Sequence, residues 1–199
     1  MVEPTWLHIT ASWLREKKIE TVYPQLLEGS QRMMIGEMRK FRIEQLRRMP
    51  EIQGYDLWQS TDYPSGLEGF IWEQGLVNYF WEPKTVGPEE FSKFNSLNVV
   101  VSDTDISERT WWEGSAVRTG IYSSYYGSTG IQDAELSYQL VSEGKRVSEG
   151  KKGGVRLTPG EVTSLGDIEV SVPVVGQRAG RRTAVDVALR GHRLHISRL

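Results

Sequence analysis

The chain has 199 residues, of which 38% are hydrophobic and 25% are charged, and its formal net charge is −2 at pH 7. This composition is typical of a globular protein, with room for one large domain or two modest ones. The slightly acidic balance argues against nonspecific nucleic-acid binding, which needs a basic surface. No stretch approaches the roughly 20 apolar residues that span a bilayer, and no signal-peptide pattern is visible. We therefore expect a soluble protein without nucleic-acid or membrane partners, in an unknown compartment.

The chain contains no cysteine and three histidines. The lack of cysteine excludes disulfides, thiolate nucleophiles and zinc sites built on thiolates. His192 and His195 lie close together, but no third ligand is near them, so we expect neither a metal nor a cofactor. No GxSxG motif is present, and a serine nucleophile therefore has no recognisable setting.

The first predicted element is a long helix from about Pro24 to Arg48. Leu27, Met34, Met38 and Phe41 recur at intervals of seven, four and three residues and form an apolar stripe. We expect this stripe to be buried and the basic residues of the helix to lie mostly off it.

A turn at Gly54 follows, and Tyr55–Gln59 is predicted to form a brief, buried strand. A long amphipathic helix, a tight turn and a buried strand together make an αβ unit of a parallel α/β fold. A parallel strand needs neighbours on both sides, so this unit cannot be a domain alone.

From Asn98 onward the pattern becomes all-β. Short β-prone segments separated by Gly, Ser, Asn and Asp occur at Asn98–Ser102, Ala116–Ser123, Ala134–Val141, Gly153–Leu157, Asp167–Val172 and Thr183–Leu189. Several strands without helical periods between them suggest a β-sandwich of immunoglobulin-like size. We place the domain boundary near Phe94–Leu97, and we expect the charged segment Glu143–Lys152 to be a hairpin tip or a solvated loop.

The chain is rich in aromatic side chains, with seven tryptophans and eight tyrosines. Several tryptophans adjoin carboxylates, as in Trp72–Glu73, Trp81–Glu82 and Trp111–Trp112–Glu113. A flat ring stacks on the apolar face of a sugar, and carboxylates bind its hydroxyls. The alternative is that these rings pack in a core, as most aromatic side chains do.

Four pieces of the sequence occur in an informative order. They are IEQLRRMPEIQGY at Ile43–Tyr55, DLWQSTDYPSGLEG at Asp56–Gly69, the pair Phe80–Trp81, and KTVGPEEF at Lys84–Phe91, and the β-rich segment follows them. Together they resemble the C-terminal region of glycoside hydrolase family 2, the β-galactosidase and β-glucuronidase superfamily. The resemblance covers about residues 24–190.

This resemblance implies a fold of mixed class, α/β plus all-β. Residues 1–95 would be the C-terminal part of a (β/α)8 TIM barrel, and residues 96–199 would be an immunoglobulin-like β-sandwich. The family's sandwich has one more strand after the segment that matches Thr183–Leu189, so a truncated sandwich is expected here.

The resemblance also implies a retaining glycosidase mechanism with two carboxylates at the C-terminal ends of barrel strands. Both positions precede the long helix, so the catalytic residues are unknown and are expected to lie outside this chain. Glu3 and the pair Glu68 and Glu73 are weak candidates, because neither has the rigid setting that catalytic carboxylates need. The missing N-terminal part of the barrel would then be a partner.

For substrate binding, the resemblance implies a sugar-stacking ring at Trp58 and hydroxyl binding by Gln59 and Asp62. Trp72 and Trp81 are candidates for outer subsites. Two alternatives stay open: Trp58 as packing beneath the site, and Asp62 as the cap of a turn.

Three functions are therefore compatible with the sequence. The chain is a fragment of a family 2-like glycoside hydrolase that is inactive alone, a stand-alone carbohydrate-binding protein, or a structural interaction module. The third would use Trp111–Gly114 as an exposed contact.

Overall fold

The structure is a computed structural model. It describes residues 5–64, 71–72, 75–78, 80–108, 110–142, 145–172, 174 and 183–190. They belong to two compact units, of which the first combines Met1–Lys40 with Gly54–Phe91 and the second combines Phe41–Gln53 with Ser92–Leu199. No helix within the described part of the chain has both the length and the apolar character needed to cross a bilayer.

Helices dominate the N-terminal part. Helix α1 spans Thr5–Lys17, α2 spans Tyr23–Gln31, a π-helical segment covers Arg32–Arg39, and α3 spans Lys40–Arg48. Proline lies in the first turn of α2, where its missing N–H would have no helical partner anyway. The last three elements follow one another directly, so the helix predicted from Pro24 to Arg48 is confirmed in its extent.

The buried face of this helix differs from the predicted stripe. Met34 and Met38 are exposed, whereas Ile35 and Ile43 are almost fully buried. The prediction that both methionines would be buried is therefore wrong. It assumed 3.6 residues per turn, but the π-helical segment has i→i+5 hydrogen bonds and a wider turn, which rotates the side chains that follow.

The predicted strand at Tyr55–Gln59 is also wrong, because these residues have no strand structure. Nearby, β1 (Tyr63–Pro64) and β2 (Ile71–Trp72) form a short antiparallel pair. A strand exists only when neighbouring segments satisfy its backbone groups. Within the described residues no ladder of parallel strands covers Tyr55–Gln59, and a barrel remnant is not seen.

The second unit is β-rich. After the short helix α4 (Pro88–Ser92), its strands are β3 (Asn98–Ser102), β4 (Ala116–Tyr125), β5 (Ile131–Ser142), β6 (Lys145–Leu157), β7 (Glu161–Ser171) and β8 (Thr183–Arg190). All the β-prone segments predicted from the sequence are confirmed as strands, and most of them extend further than predicted.

These strands form two antiparallel sheets with the orders β3-β4-β7 and β6-β5-β8. Both sheets contribute to a single apolar cluster: Val100, Ile121 and Ile168 come from the first, and Leu136 and Val155 from the second. Burying a large aliphatic side chain contributes about 1.5–3 kcal/mol, so this shared cluster is the main source of stability in the unit.

The charged segment Glu143–Lys152 was predicted to be a hairpin tip or loop. From Lys145 onward it is instead part of β6, which pairs with β5 and lies at the edge of its sheet. Charged side chains are common on edge strands, where they discourage pairing with other chains. Gly150 lets the ring of Tyr138 on β5 lie against β6, because a Cβ at position 150 would collide with that ring.

One side chain fastens α3 to the sheet of the second unit. Arg47 donates from Nε to Ser124 Oγ at 3.0 Å, from Nη1 to the Ser96 carbonyl at 2.8 Å, and from Nη2 to the carbonyls of Leu97 and Ser124 at 3.2 Å. Its guanidinium also lies 5.1 Å from the centre of the Tyr126 ring. The planar fork of arginine suits this multiple contact, which lysine could not reproduce.

Replacing Arg47 with alanine should lower the free energy of unfolding of the second unit by about 3 kcal/mol, because the hydrogen bonds of a charged donor are lost together. Urea denaturation followed by circular dichroism measures the effect. Arg42→Ala is the matched control, because Arg42 is exposed and contacts only neighbours on its own helix, the side chain of Gln45 and the ring of Phe41, among the described residues. A loss of equal size in both variants would contradict the role of Arg47.

Two adjacent serines of β4 should respond to alanine in opposite ways. Both are almost fully buried, but Ser124 accepts from Arg47, whereas Ser123 Oγ has no hydrogen-bond partner among the described residues. We expect Ser123→Ala to leave stability unchanged or raise it by about 1 kcal/mol, because it removes an unsatisfied hydroxyl. Ser124→Ala should lower stability by a similar amount in the same urea titration.

Candidate functional site

Three short segments of the first unit lie side by side and are called here the three-segment ribbon: residues 60–62, 76–78 and 82–84. Thr61 and Val77 form a parallel bridge, and Val77 and Pro83 form an antiparallel one. The Asp62 N–H donates to the Val77 carbonyl, and the Asn78 N–H donates to the Glu82 carbonyl, each at 3.0 Å. The ribbon therefore joins the predicted sugar-binding segment to the aromatic segment that follows it in the sequence.

Asp62 is the buried anchor of the ribbon. Its Oδ1 accepts from Lys84 Nζ at 2.7 Å and from the Gly75 N–H at 2.8 Å. The side chains of Lys84 and Asp62 are only 6% and 3% exposed. A buried ion pair loses much solvation, and additional hydrogen bonds such as that from Gly75 offset part of this cost. Both partners are distant in the sequence and lie outside the turn Thr61–Pro64, so a local loop cap and the binding of sugar hydroxyls both stay predictions for Asp62.

A second cation interacts with the same carboxylate. Burial lowers the pKa of the Arg39 guanidinium below its ordinary value, and the charge of Asp62 acts in the opposite direction. Arg39 lies in the π-helical segment, so Asp62 interacts electrostatically with a helix as well as with the ribbon.

Gly75 is required by close backbone packing. A Cβ at this position would lie 2.5 Å from the Thr61 carbonyl carbon and 2.6 Å from the Val77 carbonyl oxygen, and it would also meet the Asp62 nitrogen. Real Cβ atoms do not approach backbone atoms so closely. Only glycine lets its N–H reach the buried carboxylate of Asp62.

The turn that links the second and third segments displays aromatic side chains. Asn78 Oδ1 accepts from the N–H groups of Phe80 and Glu82 at 2.9 and 3.0 Å, and its Nδ2 donates to Glu82 Oε2 at 2.7 Å. Phe80 and Trp81 are 81% and 74% exposed, and Trp81 has a φ of 65°. A bulky residue rarely adopts this left-handed conformation, so the hydrogen bonds of Asn78 hold the turn against local strain.

Trp58 is exposed, and its peptide bond to Gln59 is cis. It precedes Thr61 in the first segment, whereas Trp81 lies in the turn beyond Asn78. Because Thr61 and Val77 pair in parallel, these positions lie towards opposite ends of the ribbon. The ribbon therefore brings both rings into one unit but at separate places.

Other predicted residues are described only in part. Trp72 lies in β2, where its backbone pairs with Tyr63, and the structure describes only the backbone at this position. Glu3, Glu68, Glu73, His192 and His195 lie outside the described residues. The described residues contain no group of three or more histidine, aspartate or glutamate side chains that could hold a metal ion.

The aromatic segment of the second unit divides between core and surface. Trp111 packs against the apolar cluster of the second unit, whereas Trp112 is exposed on a turn closed by a Ser115-to-Trp112 hydrogen bond. The exposed-contact hypothesis for Trp111–Gly114 is thus limited to Trp112 and its flanking residues.

The sequence did not reveal the residues that shape this site. Lys84, Gly75, Arg39 and Asn78 were not predicted to have roles in it. Asn78 is the one with a local signal, since Asn often hydrogen-bonds to backbone N–H groups a few residues ahead in turns.

No protein-family model and no curated protein matches the chain. Several solved structures give partial structural alignments, and three of them are described here. The β-glucuronidase 2 of Bacteroides uniformis, covalently bound to cyclophellitol-6-carboxylate aziridine, has 14% identity and a TM-score of 0.33 over 53% of this chain and 12% of its own. The β-glucuronidase of Parabacteroides merdae has 12% identity and a TM-score of 0.30 over 51% of this chain and 12% of its own.

The third structure is Spo0M, a sporulation control protein from Bacillus subtilis, with 14% identity and a TM-score of 0.31 over 51% of this chain and 47% of its own. The aligned part of this chain thus spans about an eighth of each glucuronidase. Alignments at these TM-scores and identities do not establish a shared fold.

Removing the Asp62 carboxylate should destabilise the first unit strongly. Asp62→Ala removes the carboxylate that lies 2.7 Å from the buried Lys84 ammonium and that accepts from the Gly75 N–H, and we expect a loss of about 3–5 kcal/mol. Thermal and urea denaturation measure it. Asp167→Ala is the matched control, because Asp167 pairs with Arg118 at the surface, where such a pair contributes less than about 1 kcal/mol. Similar losses in the two variants would contradict the anchoring role.

Proposed function

We propose that this chain is the C-terminal part of a family 2-like glycoside hydrolase and that its first unit forms one wall of a sugar-binding site. The observation that carries the proposal is the turn at residues 78–82, which holds Phe80 and Trp81 exposed to solvent in a strained conformation. Strain of this kind persists at ligand sites because the surrounding contacts determine it.

The proposed arrangement gives each predicted residue a role. Trp58 provides the stacking ring for the sugar that is cleaved, and Gln59 binds a hydroxyl beside it. Trp72 and Trp81 contact outer sugars. Asp62, besides any contact with a hydroxyl, holds the ribbon in place through Lys84 and Gly75.

The exposure of Trp58 supports the stacking role over packing beneath the site, because a packing residue would be covered. Exposed rings of this size are unfavourable in water, and a sugar face would cover them while leaving its hydroxyls free for polar side chains.

The proposal extends to the domains. Residues 1–95 would be the C-terminal part of a TIM-barrel domain, and residues 96–199 would be an immunoglobulin-like sandwich, for which the two antiparallel sheets around one apolar cluster are the support. The barrel assignment rests on the sequence pattern alone.

Under this proposal the chain does not hydrolyse glycosides by itself. A retaining mechanism needs two carboxylates about 5–5.5 Å apart on a rigid frame. They would come from a polypeptide that supplies the preceding part of the barrel, and that polypeptide is the proposed partner.

A second candidate function is a non-catalytic module that binds carbohydrate or protein through the second unit. The specific observation that favours it is Trp112, whose side chain is exposed on a hydrogen-bonded turn of the sandwich.

Titration calorimetry and ligand-observed NMR against galactosides, glucuronides and mannosides test both functions. We expect at least one sugar to bind, and Trp81→Ala should weaken its affinity about tenfold, equivalent to about 1.4 kcal/mol. Trp112→Ala is the matched control, because it removes an exposed ring from the other unit.

If Trp112→Ala abolishes binding and Trp81→Ala does not, the second function replaces the first. Failure of every sugar to bind would overturn both carbohydrate-binding functions.

A further inference from the structure

The turn at residues 78–82 carries a polar pair beside its exposed rings. Asn78 Oδ1 accepts from the N–H groups of Phe80 and Glu82, and these two donors identify the oxygen and leave Nδ2 as the donating end of the amide. Nδ2 has two hydrogens and donates one of them to Glu82 Oε2 at 2.7 Å, in an exposed position. Within the described part of the chain, the second hydrogen and the Glu82 Oε1 atom have no hydrogen-bond partner. A donor and an acceptor therefore lie side by side at the surface.

Backbone hydrogen bonds hold the same turn closed. The Asn78 N–H donates to the Glu82 carbonyl at 3.0 Å, and the Trp81 N–H donates to the Asn78 carbonyl at 3.1 Å. Trp81 and Glu82 are consecutive, so the ring and the carboxylate are attached to one stretch of fixed backbone. Fixing the backbone of a binding group before a ligand arrives reduces the conformational freedom that is lost on binding. The turn thus presents a ring, a carboxylate oxygen and an amide hydrogen on a backbone that is already held.

The charge of the turn is negative. Glu82 is the charged side chain of residues 78–82, and it forms no ion pair with any of the described residues. The basic residue closest to it in the sequence is Lys84, whose side chain is 6% exposed and whose Nζ lies 2.7 Å from Asp62 Oδ1. The Lys84 ammonium is therefore not available to a ligand at the surface. A carboxylate on such a ligand would meet a like charge, which is unfavourable.

We infer that Asn78 and Glu82 form the polar half of the subsite at Trp81 and select a neutral sugar with two adjacent hydroxyls over a sugar acid. One hydroxyl donates to Glu82 Oε1, and its neighbour accepts from the second Nδ2 hydrogen of Asn78, because a hydroxyl group can do both. The Trp81 ring covers the apolar face of the same sugar. A hydrogen bond to a carboxylate is stronger than one to a neutral acceptor, so Glu82 is the main determinant. This selection rests on the proposed sugar-binding function and names its substrate class at one subsite.

Disaccharides that differ in one functional group test the selection. The probe is whichever of lactose, cellobiose and mannobiose binds the native chain best, together with its two derivatives in which one ring or the other has a carboxylate at C6. In titration calorimetry, at least one derivative should bind about fivefold more weakly than the neutral disaccharide, which is the effect of one like-charge contact at a surface. At an ionic strength of about 1 M, where the Debye length is about 3 Å, this difference should largely disappear.

Glu82→Gln assigns the difference to one side chain. It removes the charge and keeps a side chain of the same length that can still accept from Asn78. The variant should reduce the difference between the neutral disaccharide and that derivative to about twofold or less, because the like-charge contact is gone. Glu169→Gln is the matched control and should leave the difference unchanged, because it removes an exposed carboxylate from β7 in the second unit.

Equal affinity of the native chain for the neutral disaccharide and both derivatives would overturn the role of Glu82, and so would a difference that Glu82→Gln leaves unchanged. In both cases the proposed sugar-binding function stands if Trp81→Ala still weakens binding of the neutral disaccharide. Binding of a derivative without binding of any neutral disaccharide would also overturn the selection of a neutral sugar. If neither the neutral disaccharides nor the derivatives bind, the sugar-binding function fails, and the selection that rests on it fails as well.

Discussion

The buried carboxylate of Asp62 is the interaction on which the candidate site depends. It binds the Lys84 ammonium and the Gly75 N–H, and its charge acts on Arg39 in the neighbouring π-helical segment. These contacts join segments that no continuous sheet connects within the described part of the chain. A buried charge stays in the folded state only when its partners are fixed, so this one ion pair constrains the backbone around it.

In the second unit a charged side chain also joins distant segments, but its hydrogen-bond partners are neutral. There the positive group of Arg47 is fixed by the carbonyls of Ser96, Leu97 and Ser124, while the apolar cluster between the sheets supplies most of the stability. The difference between the units follows from their composition. The β-rich second unit buries many aliphatic side chains, whereas the ribbon is short and contains charged hydrogen bonds, which are stronger than neutral ones but costly to bury.

A rigid backbone beneath the exposed aromatic side chains affects how well they could bind a ligand. An exposed tryptophan on a mobile loop would lose much conformational freedom when a ligand bound, and this loss would reduce affinity. Trp81 instead lies on a turn held by Asn78, and Trp58 precedes the anchored segment that ends at Asp62. The backbone that carries Trp81 is therefore held by hydrogen bonds before a ligand binds. Under the proposed function, this site is one wall of a sugar-binding cleft, and the carboxylates that cleave the glycosidic bond would come from a partner polypeptide.

The sequence by itself determined the features that depend on neighbouring residues. The strands of the second unit follow from local alternation and β-propensity, and the extent of the long helix follows from its composition and the proline after it. Predictions from the local sequence pattern were wrong where a contact between distant residues determines the secondary structure. Tyr55–Gln59 has the composition of a strand but no ladder, and the charged residues of β6 resemble a loop until β5 pairs with them.

The candidate site shows the same division. The sequence indicated the aromatic residues, because the residue type alone makes Trp58 and Trp81 candidates for stacking on a ligand. Only the tertiary structure decided what Asp62 does, since its partners Gly75 and Lys84 lie 13 and 22 residues further along. It also decided which face of the helix is buried, because the π-helical turn changes the periodicity that a sequence pattern assumes. Residue type thus determined which side chains can bind a ligand, and long-range contacts determined which of them are held in place.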